Sequence, residues 1–227
     1  MKYSLAQYLA SFLTKRRREL IDKVSSQRLL NLALILEDIH DPHNANAVLR
    51  SAEVIGIHRV FIIENRNRFA LSPGVNLGAA KWLLIERFQE LSVDNTELCF
   101  ERVRKLGYRI YCSSVHHKAL MLEDLPCDKP LALLFGSEKW GVSPKALSLC
   151  DGTFHIPMYG FTESFNISVS AAISLYTIAR KMREEKKELS QEEKEEIRLF
   201  LLRRSLRRAE LLEKRFYEEH KPSSLET

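Results

Sequence analysis

The sequence predicts an α/β domain with a mainly parallel sheet, helices on both faces and a helical segment at each end. Three observations carry this reading. Between positions 32 and 180, short apolar runs alternate with segments of helical periodicity, the pattern of strands joined by crossover helices. Four of the eight glycines, Gly136, Gly141, Gly152 and Gly160, crowd between positions 136 and 160. They follow strand ends, where open α/β sheets bind ligands and where glycine supplies backbone shapes other residues avoid. From Glu184 to Phe216 the chain contains no glycine or proline and is built from strong helix formers.

Taken in order, residues 1–31 read as helical, with Leu5, Tyr8, Leu9, Phe12 and Leu13 at helical spacing. The cluster Lys15, Arg16, Arg17 and Arg18 follows. It is either a solvated helix face or a phosphate contact. Leu32 to Leu36 reads as the first strand, and Pro42 pushes Asp41 away from helical geometry. A helix is expected from about Ala45 to Ile55, with Ala47, Val48, Ser51, Val54 and Ile55 on one face and Gly56 as its stop. Taken alone, Asn44 is an N-cap and Arg50 an exposed helix arginine.

Arg59 to Ile63 is the second expected strand, and Asn65 to Gly78 a polar connection containing Pro73-Gly74. Residues 81–88 read as a strand, Thr96 to Leu106 as a helix ended by Gly107, and Tyr108 to Cys112 as another strand. Ser113 and the pair His116-His117 follow; without a nearby third ligand the histidines do not suggest a metal site. Leu131 to Phe135 suits a buried strand. Ser143 and Pro144 are N-cap and first residue of a short helix ending near Cys150, and Asn166 can cap a long helix from Ile167 to Lys186. Ser190 with Glu193 resembles a capping box for a final helix. Its apolar stripe is Leu199, Leu202, Leu206, Ala209 and Leu212, flanked by Arg203, Arg204, Arg207 and Arg208. The last eight residues read as frayed. The chain thus divides into an N-terminal helical segment (1–31), an α/β domain (32–184) and a basic helical extension (185–227).

At 45% hydrophobic and 29% charged residues the composition is that of an ordinary soluble protein. No apolar run approaches the roughly 20 residues a membrane span needs, and the N-terminus reads as amphipathic rather than as a signal peptide. Cys99, Cys112, Cys127 and Cys150 form no CxxC pair. Their scatter argues against a disulfide scaffold or zinc site and fits a reducing cytoplasm. The net charge of +5 permits a polyanionic partner without demanding one.

The dinucleotide, P-loop, metalloprotease and nucleophile-elbow signatures are absent. What remains is polar residues on three loops at expected strand ends. These read DPHNANAVLRSAEVIG, with Asn44 and Arg50; LLFGSEKWGVSPKAL, with Glu138; and IPMYGFTESFNISVSAAI, with Ser164 and Asn166. In order and spacing they resemble the three motifs of the SpoU/TrmH family, in the SPOUT class of methyltransferases. The flanking helical segments resemble the TrmH branch. One departure is Thr162-Glu163, where better-known members carry Val-Gln.

The resemblance implies a C-terminal trefoil knot, rare among folds, and a homodimer with the active site beside the interface. It implies methylation of a ribose 2′-hydroxyl by S-adenosylmethionine, on the guanosine at position eighteen of the tRNA D-loop, with no metal. Asn44, Arg50, Glu138, Ser164 and Asn166 would serve catalysis, with Arg50 either general base or orienting group. Ser113, Gly136, Ile156, Met158 and Phe165 would surround the cofactor. The two basic clusters, Lys15 to Arg18 and Arg203, Arg204, Arg207 and Arg208, would hold tRNA. The alternatives are a ribosomal RNA ribose methyltransferase and a non-catalytic RNA-binding member of the same fold.

Overall fold

The computed structural model describes residues 4–70, 78–114, 119–185 and 188–219. In chain order the elements begin with α1 (Leu5–Ser11), α2 (Lys15–Gln27), β1 (Leu29–Glu37), α3 (Pro42–Ile55), β2 (Ile57–Ile63), β3 (Leu84–Phe88), α4 (Asn95–Lys105) and β4 (Arg109–Ser113). They continue with β5 (Leu120–Met121), β6 (Leu131–Phe135), α5 (Pro144–Leu149), β7 (Gly152–His155), α6 (Ile167–Glu184), α7 (Gln191–Ser205) and α8 (Ala209–Glu219). The chain forms two compact units, Leu29–Lys187 and a second that combines the two terminal segments.

Among the described residues the larger unit has a seven-stranded sheet in the order β3-β2-β1-β6-β4-β7-β5. Every pairing is parallel. The middle of β1, Leu32 to Leu36, is apolar throughout for a reason the fold shows. Leu32, Leu34 and Leu36 enter one core with α3 and α6, while Ala33 and Ile35 enter the other with α4 and α5. Side chains alternate across a sheet, so a strand covered on both faces has no polar side. β6 repeats this, with Leu131, Leu133 and Phe135 on one face and Ala132 and Leu134 on the other.

Several boundaries differ from expectation. β1 begins at Leu29 and not Leu32. β3 is shorter than residues 81–88, because Ala79–Trp82 forms a 3-10 turn. β5 and β7 escaped notice: one has two residues and the other, Gly-Thr-Phe-His, has little apolar pattern. α3 is capped by Asp41, whose Oδ1 accepts from the His43 N–H at 2.8 Å, so Asn44 is free for other work. The buried face of α3 is Ala45, Asn46, Val48, Leu49 and Ala52, whereas Ala47 and Val54 point outward. Gly56 ends the helix at φ 98°, a left-handed position that suits glycine. The Asn166 cap and the small, apolar buried face of α6 match expectation; that face lies against α3.

The terminal unit is helical, but neither of its segments is one helix. Thr14 accepts from the Arg17 N–H and starts α2 afresh after α1, which has its own capping box between Ser4 and Gln7. The Ser190–Glu193 capping box opens α7 as expected. The C-terminal stripe then breaks at Leu206, which is extended. A continuous helix would carry Phe216 more than 20 Å beyond Leu201, at about 1.5 Å per residue. The break lets Phe216 pack on Tyr8 of α1, with ring centroids 5.2 Å apart. Arg198 bonds Asp22 at 2.7 Å, tying α7 to α2. Pro73-Gly74, the His116-His117 pair and the last eight residues lie outside the described residues.

Candidate active site

A parallel sheet brings all strand carboxyl ends to one edge. There the ends of β4, β6 and β7, with the N-termini of α3 and α6, enclose a cavity of about 610 Å³. The loop after β6 forms one wall. A Cβ on Gly136 would overlap the backbone of Gly141 and Val142. Gly141 takes φ 66° and donates its N–H to the Ser137 carbonyl at 2.8 Å. The loop's far end is anchored by Glu37, which is 1% exposed. The Glu37 carboxylate accepts from the Ser143 N–H (2.9 Å), the Ser143 hydroxyl (2.8 Å) and the Thr96 hydroxyl (2.9 Å). A loop closed at its root and pinned at its end holds Glu138, between them, in place.

Glu138 is the junction of the three loops. Its Oε1 accepts from Asn44 Nδ2 at 3.0 Å, and its Oε2 from the His40 N–H at 3.3 Å. Asn44 Oδ1 accepts from Asn166 Nδ2 at 3.1 Å. Asn166 Oδ1 accepts from Ser168 N–H and hydroxyl, capping α6. An asparagine offers both a donor and an acceptor. Asn44 uses one for the second loop and one for the third.

The structure brings together nine of the ten expected site residues. Asn44, Glu138, Ser164, Asn166, Ser113, Gly136, Ile156, Met158 and Phe165 all line the cavity. Arg50 does not. It is exposed on α3, six residues past Asn44 and on a different face, with no ion pair among the described residues. Reading by motif missed the supports beneath the site. Besides Glu37, Asp38 stands at φ 52°, and its Oδ1 accepts from the Asn65, Arg66 and Asn67 N–H groups. The signal was available: two acidic residues sit where the apolar run of β1 ends. Trp140 and His155 also line the cavity, and Phe161 stands fully exposed beside its third loop.

At the end of β2, burial pushes the Glu64 carboxyl up. Hydrogen bonds from Arg87 and the Phe69 N–H outweigh that and hold it below the usual carboxylate range. Arg87 donates to both Glu64 oxygens, at 2.7 and 2.9 Å.

The basic clusters both lie in the terminal unit. Lys15 to Arg18 form the first turn of α2, which carries no acidic residue. Cations at a helix N-terminus oppose its dipole, so helix stability does not explain them. In the other cluster Arg203 binds Glu213 of α8 at 2.6 Å and Arg204 lies over the Phe200 ring. Arg207 and Arg208 are exposed in the turn between α7 and α8.

Residues 31–176 match the family model described as the SpoU rRNA Methylase family. This chain belongs to that family. Among SpoU relatives, the tRNA (guanosine(18)-2'-O)-methyltransferase of Borreliella burgdorferi is 33% identical over 207 residues, covering 90% of this chain and 93% of that protein. The enzyme of the same name from Thermus thermophilus is 32% identical, covering 74% and 84%. The A. aeolicus TrmH/SpoU tRNA modifying enzyme has a similar structure, with a TM-score of 0.69 at 26% identity over 92% of this chain and 98% of that one. The SpoU methyltransferase AviRb from Streptomyces viridochromogenes, solved in complex with the cofactor AdoMet, shares the fold at a TM-score of 0.59 and 23% identity over 70% of this chain and 62% of that one. Among the described residues of this SpoU protein no helix is long and apolar enough to cross a membrane.

Proposed function

We infer that this protein methylates the ribose 2′-hydroxyl of the guanosine at position eighteen in the tRNA D-loop, using S-adenosylmethionine. The observation that carries the reading is the hydrogen-bonded chain Glu138–Asn44–Asn166, which joins the three motif loops at a cavity. The relatives bearing that activity in their names, matched along most of their length, support the substrate.

The cavity suits the cofactor. Its volume of about 610 Å³ lies within the usual range for such ligands, ~300–1,000 Å³. Phe135, Ile156, Met158 and Phe165 give an apolar side for a purine, and Ser113, Ser164 and the Gly136 backbone offer polar partners. When bound, S-adenosylmethionine supplies an electrophilic methyl group. The chain's task is then to place the ribose oxygen in line, hold the substrate and see its proton removed. Glu138, Asn44 and Asn166 fix the loop geometry. Ser164 stands on the cavity wall as a hydroxyl partner.

Arg50 serves the substrate rather than the cofactor. A guanidinium is a donor that does not give up its proton in proteins, and it grips phosphate in a planar fork. Gripping a substrate phosphate and orienting the ribose fits that chemistry better than general base. A second copy of the chain would account for its place outside the cavity. Val54 on α3 and Val169 and Tyr176 on α6 are exposed, and a homodimer formed through them would set Arg50 beside a completed site. The family's trefoil knot at the C-terminal end of the sheet, tRNA contact through the basic clusters and a cytoplasmic location complete the reading.

The test is to map 2′-O-methylation in tRNA from a strain lacking this protein. Loss of the mark at position eighteen is expected. Its persistence, with loss of a ribose methyl from ribosomal RNA, would overturn the assignment in favour of the ribosomal reading.

A further inference from the structure

We propose that Trp140, Tyr159 and Phe161 form an aromatic clasp at the mouth of the cavity, which stacks the nucleobase of the nucleotide whose ribose enters it. The clasp rests on the ribose methylation inferred above. Among the described residues of the sheet unit, the exposed aromatic side chains are Trp140, Tyr159, Phe161, Phe165 and Tyr176. All but Tyr176 stand on the loops that follow β6 and β7. One exposed aromatic is ordinary, whereas several gathered at one mouth mark a binding site.

The cavity gives these side chains their place. Trp140 lines it from the second loop and is 63% exposed. Lys139 Nζ stands 4.5 Å from the Trp140 ring centroid. An ammonium covers one face of a ring, which leaves the opposite face for a partner. On the third loop Met158, Ser164 and Phe165 line the cavity. Tyr159 and Phe161 fall between them and do not line it; one is 95% exposed and the other fully exposed. The backbone between these two rings is open, since a Cβ on Gly160 would meet nothing within 4 Å. The third loop therefore turns some side chains inward and carries two rings on its rim.

The covalent structure of a nucleotide says what meets that rim. The 2′-oxygen is on one ribose carbon and the base is on the next. With that oxygen inside the cavity, the base lies at the mouth. In folded RNA a base stacks on its neighbours, and withdrawing it forfeits those contacts. Aromatic side chains replace them, because every base has a π-face. Lys139 adds a positive charge at the same rim, which suits the flanking phosphates. A protein partner fits less well. Among the described residues these two loops expose no large aliphatic side chain, whereas the α3–α6 face assigned above to a second copy exposes Val54 and Val169.

The experiment measures binding of two tRNAs to the whole protein, one with guanosine at position eighteen and one with an abasic ribose there. Wild type is compared with Trp140→Ala, Trp140→Phe, Tyr159→Ala and Phe161→Ala. Trp140→Ala and Phe161→Ala should weaken binding of the guanosine tRNA on the order of tenfold, and Tyr159→Ala should weaken it in the same direction. All three should bind the abasic tRNA as wild type does. Trp140→Phe, which keeps a ring, should retain most of the preference for guanosine. Calorimetry should show unchanged S-adenosylmethionine affinity in Tyr159→Ala and Phe161→Ala; its loss would place those rings in the cavity wall and overturn the clasp. Equal weakening on both tRNAs would overturn it too, as would dissociation of the free protein by Phe161→Ala in sedimentation, which would mean that the ring seats a second copy. The abasic ribose is placed at whichever nucleotide the wild type methylates. A mark away from position eighteen would thus refute the assigned target, while the comparison at the mapped nucleotide still decides the clasp. A protein that methylates no RNA would refute both.

Discussion

Asn44 and Glu138, 94 residues apart, share a 3.0 Å hydrogen bond in which the amide of one motif loop donates to the carboxylate of another. Asn44→Asp removes the donor and sets a second negative charge against Glu138. A drop in stability of about 1–3 kcal/mol is expected, with transfer reduced at least as far. The double variant Asn44→Asp with Glu138→Gln should recover part of both, because a donor and an acceptor again face each other. Thermal melts and single-turnover assays on the single and double variants check this; equal loss in both would show that the contact carries no coupling.

Arg50→Ala and Arg50→Lys should both abolish transfer while leaving S-adenosylmethionine affinity nearly intact, since Arg50 does not line the cavity. Lysine keeps the charge and loses the planar fork. Near-normal turnover by Arg50→Lys would refute a role in guanidinium geometry.

The basic turn between α7 and α8 offers a cleaner test of RNA contact than the whole arginine cluster. Arg203 is committed to Glu213, so reversing it would disturb the helix junction as well as any phosphate. Arg207→Glu with Arg208→Glu spares that bridge. Weaker tRNA binding is expected, with a log–log salt slope shallower by about 1–2, the loss of one or two phosphate contacts. Unchanged affinity and slope would mean that these arginines only solvate the turn.

Glu64 should make stability fall in acid. Its carboxyl lies below the usual range in the folded state. The stabilisation is therefore complete above the unfolded-state pKa, near 4.3, and is lost as pH falls through the lower folded value. Glu64→Gln should lower stability at neutral pH, by roughly 1–3 kcal/mol, and narrow the gap to wild type toward pH 3. Denaturant melts across that range read it out; a constant gap at every pH would contradict the assignment.

The sequence by itself determined the layered α/β architecture, because stretches buried on both faces must be apolar at successive positions, as Leu32 to Leu36 of β1 and all of β6 are. It also determined the Ser190–Glu193 capping box and the Asn166 cap, which are contacts within three residues. Tertiary structure decided what is long-range. It chose Asp41 over Asn44 as the cap of α3, and so freed the Asn44 amide to bridge Glu138 and Asn166. It broke each terminal segment into two helices, since burying Phe216 on Tyr8 outweighs continuing a periodic stripe. It turned the outer face of α3, with Arg50, away from the cavity. Local hydrogen bonds and periodicity are written in neighbouring residues, whereas a cavity wall is assembled from strand ends whose order, β1-β6-β4-β7, no local pattern encodes.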